Sequence, residues 1–530
     1  MPRQLYVTVL AALVVCAIAT ACGGPRSSTS ATSTTAPTAA VASAAQTPRS
    51  TQPTEVATFT AAPTAVPSST AQTPTAVPRE ATRIATSTAV PTTVPATSAA
   101  QTPRSTQPTA VVTSTAVAAP TGSAEKLAAA PRFTHPTEIT NPFYPVSLIG
   151  QAISLGTEGG GPFRTEVTFL PGARTITWDG QRTEALMSQY VAYADGKLVE
   201  VAYDSYAQAD DGSVYYLGED VTNYEDGKVI NHNGSWLAGK DGAPPALIMP
   251  AHPQVGQTFN PENFPGVAYE TDEILSLTEK TTTPDGPSDK GVLIKEILMD
   301  GSIEHKVNVA DFGIVESRAT DEQVTLVLLN RTDAKPGNVP EPVSAMEVQA
   351  EDILDVVPGG NWQQVTADVA AIKGGWQAYR AQAARDKVPQ GFQEALTAAL
   401  DDLEQASAAK DAAGTMQATN DLSAAVVDLS TVYRPATPTD LSWLDVLERQ
   451  VVLDVAAKDF SAAADSLAKT STVWARLKPV ILAHNGSNVA TQFESSLTAQ
   501  QAALKAGNAS ALTSGADNRL ALVDALEGLF

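Results

Sequence analysis

The chain has 530 residues, enough for two or three domains plus tails. Asp and Glu number 57 against 34 Lys and Arg, a formal net charge of −23, with nearly all the acid after residue 130. So acidic a folded part argues against nucleic acid, whose phosphates need Lys and Arg clusters, and against electrostatic adhesion to anionic lipid.

The first 21 residues read as a leader. Arg3 supplies a short cationic flank, and Leu5 to Ile18 is almost wholly apolar. A membrane-spanning helix needs about 20 apolar residues, whereas a signal-peptide h-region has about 7–15. Small residues follow, in Ala19-Thr20-Ala21-Cys22. This tetrapeptide resembles the lipobox of bacterial lipoproteins, although Ala19 stands where that family most often has Leu. The resemblance implies a diacylglycerol thioether on Cys22, cleavage after Ala21 and a further acyl chain such as palmitate on the new amino terminus. Two acyl chains anchor stably, each buried CH₂ contributing about 0.8 kcal/mol. The expected location is therefore the extracytoplasmic face of a cell membrane. The alternative is an ordinary secretory peptide that contains a cysteine. Cys16 and Cys22 are the two cysteines of the chain. Cys16 leaves with the leader and Cys22 is acylated, so the folded part needs no disulfide and has no cysteine metal site.

Residues 22–130 are rich in Ala, Thr, Ser, Pro and Val, with few charges. Such a segment cannot bury enough apolar area to offset chain entropy and is expected to be disordered. The stretch SAAQTPRSTQPT occurs at Ser43–Thr54 and again at Ser98–Thr109, a duplication within a low-complexity stalk. The composition is that of O-glycosylated stalks. At about 3.1 Å per residue, ~108 residues reach roughly 330 Å extended, or roughly 60 Å as a coil.

Residues 131–340 read as an antiparallel β domain. Short alternating runs are separated by glycine turns. Glu166–Phe169 and Arg174–Trp178 flank Pro171-Gly172, Met187–Tyr193 leads to Asp195-Gly196, and Lys197–Tyr206 leads to Asp211-Gly212. Val214–Leu217 precedes Asp226-Gly227, and Lys228–Trp236 follows. Asp-Gly suits the positive φ angles of tight hairpins. Glu273–Leu277, Val292–Met299, His305–Val309 and Gly313–Arg318 complete a meander, an open barrel or a sandwich. The acidic stretch from Asp204 through Asp210, Asp211, Glu219 and Asp220 is no EF-hand. With Gly212 at position 6 of such a loop, Ala207, Ala209 and Gly218 would fall at positions 1, 3 and 12.

The segments Asn141–Pro145, Tyr203–Gln208, Asp211–Glu219 and Gly234–Gly239, with Met249-Pro250-Ala251, resemble a domain of uncharacterised bacterial lipoproteins and secreted proteins. The resemblance covers most of residues 140–330 and implies a boundary, not an activity. Ala209 and Ser205 stand where that family usually has Asp and Trp.

Residues 345–530 read as a duplicated helical bundle. Trp362, Val365, Val369, Ile372, Trp376 and Tyr379 recur at helical spacing, as do Phe460, Ala463, Leu467, Thr470, Trp474 and Leu477. Phe392, Leu396 and Leu403 correspond to Phe493, Leu497 and Leu504, and Asn420 and Leu422 to Asn518 and Leu520. Two copies, about 348–433 and 446–530, follow. Each reads as three helices, in the first copy about 361–385, 389–409 and 411–433, with Pro389 in a first turn and Asp411 as a cap. Asp440 caps a helix that runs unbroken into the second copy, because neither Gly nor Pro occurs before Pro479.

The fold class expected is therefore multidomain α+β: a stalk, an antiparallel β domain and an internally duplicated all-α bundle. No phosphate loop, nucleotide-binding glycine fingerprint, Gly-x-Ser-x-Gly or His-Glu-x-x-His motif occurs. His135, His232, His252, His305 and His484 lack metal-ligand spacing. Asp428 and Asp524 lie near the final stripes of the two copies, as surface or capping residues or as a carboxylate pair. No catalytic residue, cofactor or metal ligand is assigned. The reading is a non-catalytic, lipid-anchored binding module whose partner is a cell-envelope component or a small ligand. The alternatives are an envelope solute or metal-ion handling protein, with the bundle as binding element, and a hydrolase.

Overall fold

A computed structural model describes residues 130–530. The leader, Cys22, the cleavage after Ala21 and the stalk through residue 129 lie outside the described residues.

A 3-10 turn, Val146–Leu148, leads into β1 (Ile149–Glu158), β2 (Gly161–Trp178), β3 (Gln181–Ala194), β4 (Lys197–Gln208), β5 (Val214–Glu225) and β6 (Lys228–Asn231). Short strands follow: β7 (Trp236–Leu237), β8 (Ala246–Met249), β9 (Thr258–Phe259), β10 (Asn263–Phe264) and β11 (Ala268–Tyr269). Then come β12 (Thr271–Thr283), β13 (Gly286–Ile297), β14 (Ile303–Val309), β15 (Gly313–Arg318) and β16 (Glu322–Arg331). The sheet order is β6-β5-β4-β3-β2-β1-β16-β15-β14-β13-β12-β9, with β7 and β8 both on β5, while β10 and β11 pair with each other. All these pairings are antiparallel. Two meanders thus meet at the β1–β16 pair, which joins the two ends of the domain.

Two of the expected hairpin turns, Asp195-Gly196 and Asp226-Gly227, have positive φ at both residues (48° and 73°, 48° and 69°), the conformation that favours Asp-Gly, and so does Asp179-Gly180 (44° and 74°), whereas at Asp211-Gly212 only Gly212 has positive φ (91°). Pro171-Gly172 departs from expectation. It is no hairpin but lies inside the single strand β2, where the register to β3 shifts between Leu170 and Ala173. The extra residues form a bulge, which lets Pro sit in a strand without breaking the ladder. The expected run Lys228–Trp236 is likewise interrupted, by a turn between β6 and β7.

The sheet is rolled. Side chains of β2 to β5 (Ile176, Leu186, Tyr206, Tyr216) and of β12 and β13 (Ile274, Val292, Ile294) share one core cluster. The arms of the sheet therefore fold toward each other as an open barrel. Alternation along β2 turns Thr165 and Val167 to the interior and Arg164 and Glu166 to the helices.

The helices are α1 (Glu341–Val356), α2 (Trp362–Arg385), α3 (Gln390–Ala409), α4 (Ala412–Thr431), α5 (Thr439–Ala457), α6 (Phe460–Ala483), α7 (Ser487–Lys505) and α8 (Ala509–Glu527). Each copy has four helices rather than three, because α1 and α5 open the two copies. Successive helices of the second copy start 97 or 98 residues after their counterparts, as at 341 and 439 or 412 and 509. The Phe392–Phe493 correspondence slips against that spacing: Phe392 is third in α3 and Phe493 seventh in α7, although both are buried. The predicted unbroken helix does not form. Lys458 takes a left-handed conformation (φ 62°), and Asp459 accepts hydrogen bonds from the backbone N–H groups of Ser461 and Ala462 to start α6. A side-chain cap thus does what Gly or Pro was expected to do. Asp440 lies in the first turn of α5 rather than at its cap, which is Pro438.

Both tryptophan stripes are core. Val365, Ile372, Trp376 and Tyr379 pack in the first copy and Ala463, Leu467, Trp474 and Leu477 in the second. The first core extends onto the sheet through Ile153 of β1 and Leu328 of β16. The sheet and bundle belong to one compact unit. Among the described residues no helix is long and apolar enough to cross a membrane.

Candidate ligand cavity between sheet and bundle

The outer face of the rolled sheet meets the helices through buried charge. Arg164 of β2 donates from Nη1 and Nη2 to the two carboxylate oxygens of Asp428 on α4, at 2.7 and 2.9 Å. Its Nε donates to Glu166 at 2.8 Å, and the other oxygen of Glu166 accepts from Arg476 of α6 at 3.0 Å. Arg476 also bonds Asp440 of α5, with Nη2 at 2.8 Å. Five side chains from β2, α4, α5 and α6 form one chain of alternating charge. The Arg164 guanidinium lies 5.8 Å from the ring of Phe392 and 5.9 Å from that of Trp443, within cation–π range.

The electrostatics follow from burial. Burial acts to raise the Glu166 carboxyl, but its two guanidinium neighbours outweigh this and hold it below the usual carboxylate range. Burial pushes the Asp428 carboxyl up, and Arg164 offsets only part of the rise. Planar, two-pronged Arg–carboxylate contacts of this kind fix geometry as well as charge.

Further bonds seat α6 on the sheet. Gln189 of β3 donates to the Thr472 carbonyl at 3.0 Å, and the Leu198 N–H donates to Asp465 at 3.0 Å. Lys469 pairs with Asp465 at 2.7 Å and donates to the Gly196 carbonyl. On the first copy, Asn330 of β16 donates to the Thr431 carbonyl at 2.9 Å.

Beside this network the sheet and bundle do not close on each other. They leave a cavity of about 1000 Å³ bounded by β2, the β3–β4 turn and helices α3 to α6. That is the size of a small-molecule site. Tyr193 and Trp443 supply aromatic wall. Gln417, Asn420 and Gln450 supply amides already tied together, with Gln417 and Asn420 each donating to Gln450 Oε1 at 2.9 Å. Gln450 in turn donates to Asp454 at 2.8 Å. The lining holds four cations, Arg164, Lys197, Lys469 and Arg476, against eight carboxylates, among them Asp421, Asp454, Asp459 and Asp465. Both arginines are already saturated by acids. The wall is thus net negative and suits a cationic or hydroxyl-rich guest rather than an anion.

The residues singled out in the sequence fare unevenly. Asp428 is buried in the network, whereas Asp524 is exposed, so the two copies form no carboxylate pair. Asp210 accepts from Thr134, Asp211 from the Ser213 N–H, and Asp220 from Arg174, which gives these three turn and surface roles, whereas Asp204 and Glu219 depart from that reading: both are buried in β4 and β5, next to the Tyr216 hydroxyl. His484 contacts the Val480 carbonyl and the ring of Phe530, and His232 the Val221 carbonyl. Among the described residues no histidine is hydrogen-bonded to a serine. Arg164, Glu166 and Arg476 carried no motif. Their signal was indirect: Arg476 lies next to the buried stripe residues Trp474 and Leu477, where a charge needs a partner. Comparison of the chain with protein-family models, with curated proteins and with solved structures finds no match in any of the three.

Proposed function

We propose that this chain is a lipid-anchored, extracytoplasmic binding protein that takes a small cationic solute, of the linear polyamine class, into the cavity between its sheet and its bundle. The observation that carries the reading is the cavity of about 1000 Å³ with its excess of carboxylates over cations and its aromatic wall. Carboxylates meet ammonium groups, and the faces of Trp443 and Tyr193 take the methylene segments between them. The leader with Ala21-Cys22 supports the anchor, and the Ala, Thr, Ser and Pro composition of residues 22–130 supports a tether. The packed apolar cores of both helical copies favour the shared cavity over the bundle interior as the binding element.

Equilibrium dialysis of the folded protein against labelled spermidine tests the binding. Retention near one molecule per chain, weakened by salt, supports it. Free passage at millimolar spermidine overturns it. Mass spectrometry of the protein from its native membrane tests the anchor, which requires a diacylglycerol-modified Cys22 as the first residue.

A further inference from the structure

The interior of the rolled sheet holds a second polar centre. Asp272 of β12 and Glu296 of β13 are directly opposite in the strand register. Glu270, just before β12, completes a group whose carboxylate oxygens all lie within 4.8 Å of one another. Like charges opposed across a ladder destabilise it, so this arrangement calls for a compensating charge.

The cation within reach is insufficient. Lys306 of β14 lies 2.7 Å from Glu296 and 4.0 Å from Glu304. One ammonium thus serves four carboxylates at positions exposed by no more than 3%. An interior does not hold such an excess of negative charge without protons or a bound cation. Two observations favour the cation. A cavity of about 30 Å³ adjoins the group, bounded by Asp272, Glu296, Lys306 and Tyr206 among others, enough for one ion or water. Asp272, 2% exposed, lines this cavity and its Oδ1 has no hydrogen-bond partner, and neither carboxylate oxygen of the fully buried Glu270 has one.

We infer that Glu270, Asp272 and Glu296 bind a hard divalent cation, Ca²⁺ or its close analogues, inside the rolled sheet. Three carboxylates without nitrogen or sulfur select oxygen-loving ions over zinc or copper. Lys306, occupied by Glu296 and Glu304, leaves Glu270 and Asp272 to the ion. The ion ties β12 and the chain before it to β13, the arm of the sheet that ends at β9.

The test is calorimetric titration of the full folded chain, stripped with EDTA, with CaCl₂ and separately with MnCl₂. The expected result is one submillimolar site that raises the melting midpoint. Glu270→Gln and Asp272→Asn are each expected to weaken it by about tenfold or more. Terbium luminescence, sensitised by the nearby Tyr206 and Tyr216, should fall in parallel. Absence of heat and of a melting shift at millimolar CaCl₂ and MnCl₂ in the wild type overturns the inference, whether or not the variants fold. So does unchanged affinity in a folded Glu270→Gln chain. Spermidine retention is independent of either outcome, because that cavity lies on the other face of the sheet.

Discussion

Arg164 and Asp428, 264 positions apart, are joined by two parallel hydrogen bonds of 2.7 and 2.9 Å. The bond ties the second strand of the sheet to the last helix of the first copy. Removing Asp428 leaves Arg164 with Glu166 as its remaining acid, and breaking such a buried pair costs about 3–5 kcal/mol, whereas replacing both partners by apolar residues is far milder. Asp428→Asn is therefore expected to lose about 3 kcal/mol in urea denaturation, and Arg164→Met with Asp428→Leu to lose much less. Equal losses in the single and the double variant would show that the pair is no clamp.

The pH dependence should run opposite to ordinary acid lability. Burial pushes Asp204 up to about 6, against the hydrogen bonds from Tyr216 and Ser188. Burial, with Glu304 nearby, takes Glu322 to about 8, and burial takes Glu448 to about 7 despite Arg519. Each such carboxyl keeps its proton in the folded state to a higher pH than in the unfolded chain, where the value is about 4. Between about pH 4 and pH 8 the folded state binds more protons, so stability falls as pH rises through that window. Glu166 has the reverse sign. Its carboxyl is held low, so its contribution is present above about pH 4.3 and lost below. The melting midpoint in EDTA is expected to be higher at about pH 5 than at about pH 8 and to drop again in stronger acid. A midpoint that climbs steadily from pH 5 to 8 would contradict these assignments.

Gly227 sits where the β5–β6 turn touches α6. A Cβ there would lie 2.1 Å from the Asp465 nitrogen and 2.2 Å from the Ala464 carbonyl carbon, at a φ of +69°. Gly227→Ala should thus cost both turn strain and the seat of α6, about 2 kcal/mol or more. Gly242, at φ +88°, would place its Cβ near nothing, so Gly242→Ala should cost only about 1 kcal/mol. Similar losses from the two, by chemical denaturation, would remove the packing contact from the explanation.

Inside the second copy, Arg519 of α8 donates to Glu448 of α5, and both are fully buried. Arg519→Met alone is expected to destabilise by about 3 kcal/mol or more, because Glu448 is left without its cation. Glu448→Leu with Arg519→Met should recover most of that loss in a double-mutant cycle. A double variant as unstable as the sum of the two singles would mean the residues act separately.

The helices were legible because their apolar stripes repeat locally, and the cap at Asp411 was legible because capping is a property of neighbours in sequence. The break at Lys458 and Asp459 was not, since neither residue is a default breaker. Strands β1 and β16 escaped notice for another reason. Gly150 and Gly156 interrupt the first, and its partner lies some 170 residues away (Leu155 against Thr325), so no local pattern announces the pairing. The candidate site was least legible. Arg164 and Glu166 share β2, but Asp428, Asp440 and Arg476 come from three other stretches, and only the packing of β2 beneath α4, α5 and α6 brings them together.

The most direct test of the binding cavity is calorimetric titration of spermidine into the wild-type chain and into Ala424→Trp. Ala424 lines the cavity from α4, so a tryptophan there fills space a guest would need. The expected result is one site in the wild type, weakened by about tenfold or more in a variant whose near-ultraviolet circular dichroism shows intact packing. Equal affinity in the two proteins, or no heat in the wild type at millimolar spermidine, would contradict a ligand site between the sheet and the bundle.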